Sequence, residues 1–98
     1  MELDLGGNAI GAAGCEALSI GLEASHALTK LNLRSNAIGD RGAVAIGKAL
    51  VRNGSLVALY LGSNEIGPEG CAVIANSWKH NSALETVDLQ VLGHMHMN

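Results

Sequence analysis

The side chains able to do chemistry are few, and their spacing restricts what they can do. Cys15 and Cys71 are the only thiols. Helices of one layer stack about 8–10 Å apart, so thiols two helices apart lie roughly 16–20 Å apart. A disulfide needs Cα atoms within about 7 Å, so the pair reads as two small core residues, and free thiols point to a reducing, cytoplasmic setting. His94 and His96 alternate with Met95 and Met97, and imidazole with thioether is ligand chemistry for a soft metal such as copper. Two histidines are a thin ligand set, so no cofactor or metal is assigned and the tail is kept as an alternative reading, an inert scaffold with a metal-binding end. His26 and His80 fall near predicted helix ends, where solvent reaches them. Gly-x-x-Gly occurs at 11–14, 39–42 and 67–70 without a following Lys-Ser or Lys-Thr, so a phosphate-cradling loop is not indicated. No nucleophile-elbow pattern or paired-carboxylate spacing is present, and an open surface excludes water poorly. The chain reads as a non-enzyme.

What positions these residues is a repeat. Written every 28 residues, the chain aligns with itself without a gap: Leu3, Leu31, Leu59 and Val87 share a column, as do Leu5, Leu33, Leu61 and Leu89. Asn8, Asn36 and Asn64 follow, then Ile10, Ile38 and Ile66, then glycines at 11, 39 and 67 and at 14, 42 and 70. Leu22, Leu50 and Trp78 form a further column, and Leu28, Leu56 and Leu84 close the unit. Self-similarity at such a period is the signature of a stacked-repeat architecture.

Within a unit the apolar period changes from two to about three and a half, which reads as strand then helix. Strands are expected near 2–5, 30–33, 58–61 and 86–89, and helices near 12–24, 40–52 and 68–80. Asp40 early and Lys48 and Arg52 late suit the dipole of the second helix, Pro68 suits the first turn of the third, and Asn53-Gly54 reads as a left-handed stop. The three asparagines sit where the chain leaves each strand. A buried turn there needs both donors and an acceptor, which one amide supplies, so Asn8, Asn36 and Asn64 are assigned a structural ladder. Gly14, Gly42 and Gly70 read as points where helix approaches strand.

The pattern Leu-x-x-Leu-x-Leu-x-x-Asn-x-Ile-Gly-x-x-Gly resembles the leucine-rich repeat of ribonuclease-inhibitor type, and the unit is similar to repeats of NOD-like receptors and of the Ran GTPase-activating protein. The resemblance covers about residues 1–89 and implies an α/β solenoid, a right-handed horseshoe segment with parallel strands on the concave side and helices on the convex side. The pattern departs at position 92, where Leu92 stands in the asparagine column. The domain is therefore placed at 1–92, with repeats 3–30, 31–58 and 59–86 and a partial unit 87–92, followed by a disordered tail over 93–98. The first and last layers lack polar caps, so the chain reads as a fragment of a longer array, with end-to-end self-association through its open ends.

Composition narrows the partner. Nine acids stand against six bases, a net charge of −3, and the aromatics are Tyr60 and Trp78. Nucleic-acid binding needs a positive footprint and usually stacking rings, so it is disfavoured. No apolar run approaches the ~18 residues that would span a bilayer, and no membrane partner is expected. Strand residues pointing away from the core form columns: Glu2, Lys30, Ala58, Thr86; Asp4, Asn32, Tyr60, Asp88; and Gly6, Arg34, Gly62, Gln90. Tyr and Arg are enriched among residues that dominate interfaces. The expected function is thus protein–protein binding on this surface, through Asp4, Lys30, Asn32, Arg34, Tyr60, Asp88 and Gln90. The resemblance implies a regulatory or sensor role. Its alternative is a GTPase-activating module, in which Arg34 would approach nucleotide phosphates.

Overall fold

A computed structural model describes residues 1–89. Strand and helix alternate as β1 (Glu2–Asp4), α1 (Gly11–Ala24), β2 (Lys30–Asn32), α2 (Gly39–Arg52), β3 (Ala58–Tyr60), α3 (Pro68–Lys79) and β4 (Thr86–Asp88). The strands make one parallel sheet in sequence order, β1-β2-β3-β4. Its register is set by the repeat: Leu3 lies opposite Leu31, Leu31 opposite Leu59, and Leu59 opposite Val87. The helices lie in a second layer, α1 against α2 and α2 against α3. This is the α/β solenoid segment that the repeat arithmetic implies.

Each strand stops one residue short of its expected end, yet the hydrogen bonding runs on. The N–H of Leu5 donates to Asn32 O at 2.9 Å, that of Leu33 to Tyr60 O at 2.9 Å, and that of Leu61 to Asp88 O at 2.7 Å. The Leu-x-Leu pattern therefore turns both leucines into the core: Leu31, Leu33 and Leu59 are fully buried. Repeat one is less covered. Leu3, Leu5, Ile10 and Leu18 are only partly buried, whereas their counterparts in the next two units are buried. At the other end Trp78 packs against the core and its Nε1–H donates to Leu84 O at 2.8 Å.

The turns after the strands have an alternating backbone. Gly7, Ala9 and Gly11, then Ser35, Ala37 and Gly39, then Ser63 and Glu65 all have positive φ. Left- and right-handed residues in alternation aim successive N–H groups at one point. In the first turn that point is Asn36 Oδ1, which accepts from the N–H of Asn8 at 2.8 Å and of Ile10 at 3.2 Å. The amide of Asn36 in turn donates to Leu5 O, Leu33 O and Arg34 O. Asn64 repeats the arrangement one unit later, donating to Leu33 O and Leu61 O and accepting from Asn36 N–H. Each asparagine thus stitches its own turn to the preceding one. Asn8 belongs to the column but is exposed, and its amide donates within its own turn, to Leu5 O and Gly6 O. Proline breaks the turn pattern in unit three. Pro68 disfavours the helical region for the residue before it and steers it to extended backbone, and Gly67 is extended at φ −91°, ψ −171°.

Two local expectations are corrected. Asn53 ends α2 in an extended conformation (φ −81°, ψ 128°), not a left-handed one. Its side chain explains why: Nδ2 donates back to Leu22 O and Ser25 O at the end of α1, and Oδ1 accepts from Ser55 and Leu56 N–H. Asn81 does the same one unit on, toward Leu50 O and Asn53 O. A second polar ladder therefore runs along the opposite ends of the helices, in the column Ser25, Asn53, Asn81. The glycines at 14, 42 and 70 also do a different job. A methyl group at Gly42 would strike Ile38 and touch Cys15 of α1, and one at Gly70 would meet Asp40 Oδ1 at 2.5 Å and Ala43 at 3.1 Å. The close approach is to the preceding isoleucine and helix, not to the strand.

Candidate functional site

The strand face is where chemistry-bearing side chains gather. Because successive strand residues point to opposite faces, the residues flanking each buried leucine project outward together. Glu2, Asp4, Lys30, Asn32, Arg34 and Tyr60, with Leu3, line a shallow depression of about 270 Å³. Six of the seven residues expected on the surface are thus accounted for: five line this depression, and Asp88 borders it through Arg34. Gln90 lies outside the described residues, as do His94 and His96 and the 93–98 tail.

These groups are not independent. Asp4 Oδ1 accepts from Asn32 Nδ2 at 3.0 Å and from the Gly6 N–H at 3.0 Å. Asn32 Oδ1 then accepts from the Arg34 N–H at 3.0 Å, so one amide links units one and two. Arg34 reaches two strands over: its Nε donates to Asp88 Oδ2 at 2.8 Å, and its guanidinium carbon lies 4.8 Å from the centre of the Tyr60 ring on the strand between. Lys30 Nζ stands 4.0 Å from Glu2 Oε2, an exposed contact at the limit of ion pairing. The surface has opposite charges paired along it and a covered aromatic at its centre.

The Arg34–Tyr60–Asp88 stack was not foreseen from the sequence. The signal was present in the columns, since strands sit about 4.8 Å apart and an extended arginine can cross two of them. Outside this face two ion pairs join the helices. Arg41 pairs with both oxygens of Glu16, and Arg52 with Glu23, tying α1 to α2 on the exposed side. The two cysteines are free and buried. Burial, with Glu16 beside it, pushes the Cys15 thiol up to about 11, and burial with Asp40 raises Cys71 as well. Thiols held protonated are poor nucleophiles and ligands. No cluster of three His, Cys, Asp or Glu side chains suited to a metal exists among the described residues. No helix among them is long and apolar enough to cross a membrane. His26 and His80 are exposed, with His80 Nδ1 2.9 Å from Asn76 O.

Strand–turn–helix units in fixed register, with buried leucines, an asparagine at each turn and a polar strand face, define a repeat solenoid. The Leucine Rich repeat family model matches residues 1–19, 24–47 and 52–75, more than half of the chain. The chain belongs to the leucine-rich repeat family, whose repeats generally mediate protein–protein interaction. Comparison with curated proteins gave no match.

Proposed function

We propose that this chain is a protein-binding module without catalytic activity of its own, and that the strand surface is its binding face. The observation that carries the reading is the placement of Asp4, Lys30, Asn32, Arg34 and Tyr60 around one depression, while Leu31 and Leu59 of the same strands are committed to the core. A surface with cross-strand charge pairs and an aromatic matches the composition of recognition patches better than that of a substrate pocket. The repeat length and the asparagine column support assignment to the ribonuclease-inhibitor type, with a regulatory or sensor role of the NOD-like receptor kind in a cytoplasmic setting. The GTPase-activating alternative has less support: Arg34 is already engaged by Asp88 and Tyr60, so it is not poised for a nucleotide phosphate.

The test is a comparison of two faces. A bound protein recovered with the wild-type chain is lost with Lys30→Glu or Tyr60→Ala and kept with Val51→Ser, which alters the exposed helix side. Retention by both strand-face variants, with loss on Val51→Ser, overturns the assignment.

A further inference from the structure

Arg34, two residues past the end of β2, Tyr60 of β3 and Asp88 of β4 meet above the sheet. Asp88 is the fixed end: its side chain is 27% exposed on β4, and Oδ2 takes the Arg34 Nε–H at 2.8 Å. Arg34 is the longer reach, with a side chain that is half exposed. Its planar head lies over the ring of Tyr60, where cation and π-face attract. Tyr60 itself is held by β3 between β2 and β4. So the ring that would anchor a partner is roofed by a charge from the same chain. Neither contact that holds the roof is strong: exposed ion pairs and exposed cation–π contacts are each marginal in water.

We propose that these three residues form a clasp that keeps the Tyr60 ring covered and must open before a partner can pack on it. This rests on the reading of the strand face as a binding surface, and it adds that the face is masked at rest. Asp88 acts as the latch and Arg34 as the cover. Other charges near the depression have their own engagements, Asp4 with Asn32 and the Gly6 N–H, and Lys30 with Glu2. They are not part of the latch. A partner gains the ring only by moving the guanidinium aside, so the clasp lowers affinity for weak binders and sharpens discrimination.

The experiment needs no partner, so the clasp is judged separately from the protein-binding reading. Tyr60 is the only tyrosine, and its ring protons can be followed by NMR while a neutral gadolinium chelate broadens whatever solvent reaches. In the wild-type chain the δ-methylene protons of Arg34 carry a ring-current shift and the Tyr60 ring is protected. Asp88→Asn and Arg34→Ala each raise ring broadening about two- to fivefold, in keeping with the modest strength of such contacts. Raising salt from about 0.01 M to about 1 M, which shortens the screening length from about 30 to 3 Å, does the same in the wild-type chain with no substitution. Arg52→Ala, on the exposed helix side where Arg52 pairs with Glu23, leaves the broadening unchanged. Equal broadening in the wild-type and both clasp variants, an unshifted Arg34 δ-methylene, or salt-independent broadening of the wild-type ring overturns the proposal.

Discussion

Asn36 donates its backbone N–H to the side-chain oxygen of Asn64 at 2.6 Å, across one full repeat. The same two residues sit in equivalent turns, so the bond is a statement about polarity. The side chains of Asn36 and Asn64 reach back toward the unit before them, and the backbone N–H groups of Asn8 and Asn36 are received by the unit after. The stack is held together by amides inside an otherwise apolar layer, where an unpaired polar group is costly.

The ladder gives a graded prediction. Asn36 is fully buried and joins two turns, whereas Asn8 is exposed and bonds within its own. Asn36→Ala removes the acceptor of the Asn8 and Ile10 N–H groups and one of the donors to each of Leu5 O, Leu33 O and Arg34 O. It should lower the unfolding free energy by about 3 kcal/mol or more, while Asn8→Ala costs about 1 kcal/mol or less. Urea melts of the two variants measure the difference, and equal losses would contradict the ladder.

Glycine positions separate close approach from simple helix propensity. A methyl group at Gly70 collides with Asp40 and Ile66, so Gly70→Ala should destabilise by about 2 kcal/mol through overpacking and a displaced carboxylate. Nothing lies within 4 Å of a methyl group at Gly21 in α1, and there alanine should stabilise by about 0.5–1 kcal/mol. Opposite signs in thermal or denaturant melts are the expected outcome.

Strain in the turns predicts the reverse substitution. Ala37 is exposed with φ 53°, in the region that side chains rarely adopt. Ala37→Gly removes a penalty of about 1–2 kcal/mol and adds about 0.5–1 kcal/mol of unfolded-state entropy, so a small net gain is expected. Gly39→Ala, at φ 66°, should lose about 1 kcal/mol or more. Paired equilibrium melts decide whether these turns are strained as the backbone angles indicate.

The raised thiols predict a stability limit at alkaline pH. Cys15 holds its proton up to about 11 in the folded chain because burial, and then Glu16, oppose the thiolate, against 9.0 for a free thiol. The folded pKa is the higher one, so the contribution is complete below pH 9 and is lost as pH rises through about 11. Cys71 acts in the same direction. Urea midpoints should therefore fall between pH 9 and 11, and Cys15→Ala, with the residue that Ala43 already places in this column, should flatten that fall.

How far the sequence could be read depended on whether a property repeats. Leu31, Leu33, Leu59 and Leu61 recur at a period that belongs to one strand face, and all four are core. Asn36 and Asn64 recur where a turn needs an amide, and both are buried. The surface residues were assigned from the same alternation, which gives direction but no reach. That is why the columns placed Arg34, Tyr60 and Asp88 on one face and missed their stacking, which depends on a long side chain crossing two strands. Left-handed turns were hidden for another reason: glycine announces them at Gly7, Gly11 and Gly39, but Ser35, Ala37, Ser63 and Glu65 adopt the same backbone. The Asn53 stop was misread because its side chain bonds to the neighbouring unit, a contact that helix-end rules for a single helix do not contain.

Near-identical units invite slippage, in which a strand pairs with the wrong neighbour and every leucine still finds a leucine. Asp40 works against that error. Its Oδ1 accepts from the N–H of Gly67 at 2.7 Å and of Gly70 at 3.0 Å, capping α3 from the first turn of α2. The same column holds Ala12 in the first unit and Pro68 in the third. If α1 docked in place of α2, it would bring a methyl group to those two N–H groups and leave them without an acceptor. An Asp40→Ala chain should accordingly refold with an added slow phase from mispaired chains, and clean single-phase refolding would argue otherwise. One carboxylate serves as an address, marking which of several interchangeable-looking helices is the proper neighbour of the third.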